Sequence, residues 1–126
     1  ASFDSSPPRL LALAVICAES DEDACFIAGT AVYRKLMAGR APREALLSPG
    51  EVRMRYERMS QTERREFDET LDDMVVGSPE TCQQKIQDLA CDYGSDEIGI
   101  VTVTHRFEDR LRSYQLLARA FGITAI

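Results

Sequence analysis

Apolar and polar positions fall into blocks whose period changes along the chain. Leu10 to Ala18 is a continuous apolar run of strand length, the pattern of a strand buried on both faces beneath helices. Its Leu and Ala content leaves a short core helix as the competing reading. Ser20-Asp21-Glu22-Asp23 then matches a capping box with acids in the first turn, so a helix should start at about Asp21 and run to about Ala38. Cys25, Ala28, Val32 and Leu36 form its apolar stripe, and Gly39 and Pro42 supply the stop.

The stretch from Ser48 to Asp73 is dense in charge of both signs. Ser48-Pro49-Gly50-Glu51 and Ser60-Gln61-Thr62-Glu63 are two further capping patterns, which predict two short helices. Val52, Tyr56 and Met59 give the first a thin apolar stripe, and Phe67, Leu71 and Met74 the second. Such thin stripes suggest an excursion over the surface. Met74-Val75-Val76 reads as a short strand. Ser78, Pro79 and Gly94 then bracket a helix over Pro79–Tyr93 whose buried face is Cys82, Ile86, Leu89, Ala90 and Tyr93. Glu97 to Thr104 is rich in β-branched residues and reads as a strand. A last helix from about Phe107 to Phe121 should bury Leu111, Tyr114, Leu117, Ala118 and Phe121, with Gly122 as its stop.

Alternation of strands with helices implies parallel strands and helical crossovers. A sheet of two or three strands is marginal alone in water. Leu10 to Ala18 and Ile98 to Thr104 would leave apolar faces and unpaired edges in a monomer, so a homo-oligomer joined through strand edges is expected.

Composition narrows the function classes. The chain has 126 residues and a formal charge of −6, opposite in sign to the basic face of a nucleic-acid binder. No apolar run approaches the roughly 18 residues of a membrane span. Ser2 to Pro8 has no basic start and breaks structure before any apolar core, unlike a secretory leader; a cytoplasmic location is the expectation. Cys17, Cys25, Cys82 and Cys91 form no CxxC pair and read as reduced, buried thiols. Neither metal-ligand spacing nor a phosphate-binding or nucleophile-elbow motif is present, so no metal is expected.

Four stretches, in order, carry a family resemblance: Ala18-Glu19-Ser20-Asp21-Glu22-Asp23-Ala24, Leu36-Met37-Ala38-Gly39-Arg40-Ala41-Pro42, Val76-Gly77-Ser78-Pro79-Glu80-Thr81, and Asp96-Glu97-Ile98 with Arg110 to Ala118. Together they resemble the C-terminal portion of bacterial luciferase-like, flavin-dependent monooxygenases. The resemblance implies an α/β segment of a (β/α)8 TIM-type barrel, roughly its last two βα units with a helical insertion. A complete barrel takes about 250 residues. Residues 1–126 would then be one incomplete segment: strand plus helix over 9–39, a helical insertion over 40–73, and turn, helix, strand and helix over 74–126.

The implied function is oxidation of a small organic substrate with O2 through reduced flavin (FMN), an oxidoreductase chemistry, with little activity and no bound flavin in this chain alone. The competing expectation is a truncated, non-catalytic segment acting as an oligomerising or interaction module; a third is an unrelated small α/β binding domain. His105, the only histidine, lies just past the second strand and is the catalytic candidate implied by the resemblance; its bland reading is a partly exposed residue leading into a helix. Arg53, Arg55 and Ser78 are candidate flavin-phosphate contacts, the arginines from a mobile insertion. The alternative pairs Arg53, Arg55 and Arg58 with Glu51 and Glu57 on one helix. Asp72, Asp73 and Glu80 read as structural acids.

Overall fold

The apolar run that opens the chain folds as strand β1 (Leu10–Cys17). The computed structural model describes residues 10–38, 40, 46–94 and 97–122; the expected stops at Gly39 and Pro42 and the Ser2–Pro8 stretch lie outside them. Serine caps set four of the five described helix starts. Ser20 Oγ accepts from the Asp23 amide at 3.1 Å to start α1 (Asp21–Met37). Ser48 caps α2 (Pro49–Arg58) in the same way at 3.2 Å. A reciprocal capping box joins Ser60 and Glu63, at 3.2 and 3.0 Å, to start α3 (Gln61–Asp72). Each cap satisfies amide donors that a helix leaves unpaired.

Strand β2 (Val75–Gly77) follows, then α4 (Pro79–Tyr93), which ends at Gly94 with φ of 57°. That left-handed turn favours glycine. Strand β3 (Glu97–Val101) and helix α5 (Phe107–Ala120) complete the described elements. Both pairings are parallel, with Val15 opposite Val75 and Leu13 opposite Ile100, and the strand order is β2-β1-β3.

This order corrects the expected barrel segment. In a (β/α)8 barrel each new strand adds on the same side, whereas here the β2-to-β3 connection crosses back over β1 and adds at the opposite edge. The result is a small doubly wound α/β unit. Crossovers running in opposite directions place their helices on opposite faces when both are right-handed, and the core divides accordingly. Val15, Cys17 and Val75 pack with Cys82, Ile86, Leu116 and Leu117 on the α4–α5 side. Ile16 and Met74 pack with Ala28, Val32, Val52 and Phe67 on the α1–α3 side.

The second cluster also revises the reading of Ser48–Asp73 as a surface excursion, because Val52 and Phe67 are core residues. Burial of β1 on both faces holds from Val15 to Cys17 but not at Ala12 and Ala14, which are exposed. Strand β3 stops at Val101 rather than Thr104. Beyond it the Thr102 hydroxyl donates to the Val15 carbonyl at 2.8 Å, so a side chain replaces the ladder. On α5, Leu117 is buried as expected, but Leu111 and Tyr114 face solvent. Ser113 takes an inner position because its Oγ accepts the Cys17 amide at 2.9 Å. Cys17 and Cys82 are buried thiols, whereas Cys25 and Cys91 are exposed, against expectation. No helix among the described residues is long and apolar enough to cross a membrane.

Candidate functional site

In an open parallel sheet the strand order reverses at one point, and the crevice at the carboxyl ends of the strands there is the usual ligand position. Here that point lies between β1 and β3, bordered by Ala18, Glu19 and the Thr102–His105 turn. Its polar groups are matched to one another. Glu19 forms an ion pair with Arg112, whose Nε lies 2.7 Å from the Glu19 carboxylate. The Ala18 amide donates to Gly77 O at 3.1 Å, and the Thr104 hydroxyl to Arg106 O at 2.6 Å. Among the described residues no buried side-chain polar atom lacks a partner. His105 stands exposed at this rim, and among the described residues no nucleophile is paired to it.

The N-terminus of α4, which carries Ser78, is also filled from within. Asp21 Oδ1 accepts the Ser78 amide at 2.7 Å, while Ser78 Oγ accepts the Thr81 amide at 3.4 Å. An internal carboxylate thus occupies the place an external anion would take at a helix start, and an FMN phosphate would have to displace it. The Ser78 amide bond, followed by the Thr81 hydroxyl, holds the Asp21 carboxyl below its ordinary value of 3.8.

A depressed folded-state value means that Asp21 stabilises the fold above pH 3.8 and loses that contribution as pH falls through the lower folded value. Asp21→Asn should therefore lower the melting temperature at pH 7, and the gap to the parent should narrow as the pH falls below 3.8. Thermal melts across that range check this; a gap independent of pH would contradict it.

The arginine candidates lie elsewhere, on α2. Arg53 stacks its guanidinium 4.4 Å from the centre of the Phe26 ring. Arg55 Nη1 donates to the Tyr33 hydroxyl at 2.7 Å. Aromatic side chains of α1 thus lie beside both arginines, since α2 packs across α1. Ser78 bonds Asp21, which also lines the cleft holding Arg53, while His105 lies on the turn after β3. What sequence reasoning missed is a cleft of about 640 Å³ between α1 and the α2–α3 pair, lined by Phe26, Gly29, Val52, Arg53, Tyr56 and Asp68 among others. The capping signals of α2 and α3 were visible, but not their packing against α1. Cys25 opens into this cleft. Burial first, then the charges of Asp21 and Asp72, push its thiol up, so it is protonated at neutral pH and a poor nucleophile. Among the described residues no group of acidic, histidine or cysteine side chains could hold a metal ion.

Fold and site together define a doubly wound three-stranded α/β unit with a self-satisfied strand rim and a helical-layer cleft. No family model matches the chain. It is similar to two uncharacterized proteins of Bacillus subtilis (strain 168). YwcH is 35% identical over 119 residues, which is 93% of this chain and 35% of YwcH. YceB is 30% identical over 117 residues, with the same shares, 93% and 35%. The crystal structure of apo-MsnO8 superposes with a TM-score of 0.78 at 26% identity, over 96% of this chain and 37% of that one. The chain thus spans about a third of the length of the curated relatives it matches.

These findings correct the luciferase-like, flavin-dependent monooxygenase assignment together with the TIM barrel it implied. The B. subtilis relatives are uncharacterized, no family model supports the assignment, and the strand order is not that of successive barrel units. The physical reason lies in the motifs. Ser-Pro-Glu and Glu-Ser-Asp-Glu-Asp are helix-start chemistry that any α/β crossover requires.

Proposed function

We propose that this α/β unit is a non-catalytic interaction module that associates with a second copy through the β3 edge and the outer face of α5. The carrying observation is the exposed stripe on α5. Phe107, Leu111 and Tyr114 recur at helical spacing with 69%, 45% and 37% of their surface open, although the opposite face of α5 already fills the core. Large apolar groups aligned this way mark an interaction surface. At the neighbouring sheet edge, β3 is paired only with β1 among the described residues and ends on Val101, itself 57% exposed. An open strand edge free of lysine and proline favours strand addition.

A twofold arrangement sets the same patch on both copies. The self-satisfied strand rim and the isolated His105 favour binding over catalysis. A cytoplasmic setting fits cysteines that remain free thiols.

Amide hydrogen exchange followed on dilution tests this reading. The outward amides of Glu97–Val101 and the α5 stripe should lose protection together as the protein is diluted. Exchange independent of concentration would overturn the proposal.

A further inference from the structure

From the cleft between α1 and the α2–α3 pair we propose a binding site for a small hydrophobic amine, an aryl- or branched-alkyl group carrying a primary ammonium. This site lies on the α1–α3 face of the sheet, away from the α5 surface, and stands independently of the association argued above.

The volume comes first. At about 640 Å³ the cleft falls within the range of small-molecule pockets. Its floor is apolar: Val52 and Phe67 are buried, and Gly29 removes side-chain bulk where Val52 approaches, a Cβ there being 3.2 Å from Val52 Cγ1. Its walls are aromatic. Tyr56 stands edge-on to Phe67, with ring centres 5.1 Å apart, and Phe26 projects from α1 with 38% of its surface open.

Charge selects the ligand's sign. Asp21, Glu22 and Asp68 line the cleft against one guanidinium, that of Arg53. Asp68 accepts the Tyr56 hydroxyl at 3.0 Å through Oδ1, which fixes a carboxylate beside an aromatic ring. Cations already sit in this manner on two of the cleft's rings, Arg53 over Phe26 at 4.4 Å and Arg64 over Tyr56 at 5.3 Å. Burial is the main cause of the upward push on the Cys25 thiol, and the added push from Asp21 and Asp72 is consistent with the same negative field. An aromatic face beside a carboxylate attracts an ammonium both through the ring quadrupole and through charge, and the apolar floor takes the ligand's body. An anion of the same shape would meet surplus negative charge.

The test uses phenethylamine, with phenylacetate and phenethyl alcohol as anionic and neutral probes of similar size, titrated into the full chain and followed by two-dimensional amide NMR. Phenethylamine should shift the amides of Glu22, Phe26, Gly29 and Val52. It should bind about tenfold tighter than phenylacetate, the order expected for one cation–π and one charge contact. Asp68→Asn and, separately, Glu22→Gln should each weaken the amine severalfold and leave the alcohol unchanged. Both positions are exposed, so the variants should fold, which their unperturbed spectra elsewhere would report. Equal affinity for amine and carboxylate, shifts confined to other surfaces, or no binding by the amine would overturn the proposal.

Discussion

Gly77→Ala should destabilise the protein by about 3 kcal/mol, toward the upper range for a residue forced into filled space. A Cβ at this position would lie 2.7 Å from Asp21 Oδ1, 2.7 Å from Thr81 Cγ2 and 2.8 Å from Thr81 Cβ. Thr81 Cβ is fixed to the α4 backbone and cannot swing aside. Moving Asp21 instead would break its bond with the Ser78 amide. Either response loosens the joint between the start of α1 and the start of α4. The urea midpoint of the variant checks this, with Gly50→Ala as control because a Cβ there meets nothing within 4 Å. A loss below about 0.5 kcal/mol at position 77 would show that the joint gives way easily.

Ile16→Ala should cost about 3–4 kcal/mol, the usual loss for a large aliphatic side chain removed from a closed core. Ile16 is 1% exposed and packs among Ala28, Val32, Val52, Phe67 and Met74. Its neighbours on the same face of β1, Ala12 and Ala14, are small and exposed. One side chain of β1 therefore anchors the whole α1–α3 layer. A fall in melting temperature of roughly 10 °C follows for a chain of this size. Calorimetry at pH 7 reads it, and a fall of only 2–3 °C would place the anchoring elsewhere.

The helices were legible because their signals are local. Ser20, Ser48, Ser60 and Ser78 each bond an amide three residues on, a spacing visible in the string of residues. Both long strands were legible from β-branched or continuously apolar runs. The strand order was not, because it depends on which way the β2-to-β3 connection crosses, a choice made by packing on the two faces of β1. The buried face of α5 was misread because that helix has two apolar stripes, and a serine, Ser113, occupies an inner position for the sake of the Cys17 amide 96 residues away. Asp21 looked like one of three acids complementing a helix dipole. Its bond to Ser78 joins residues 57 apart, and spacing along the chain carries no trace of that. That Arg53 lies over the Phe26 ring and Arg55 over the Tyr33 ring follows from α2 packing across α1, which local spacing does not reveal.

Association through β3 and α5 is most directly tested by the solution mass, measured by light scattering during size exclusion at a series of loadings. The parent should show twice the 14.1 kDa chain mass, and Leu111→Glu, which places a charge in an exposed stripe without touching the core, should return it to a single chain mass with an unchanged melting profile. A monodisperse 14.1 kDa species at every loading, or a dimer that Leu111→Glu leaves intact, would contradict it.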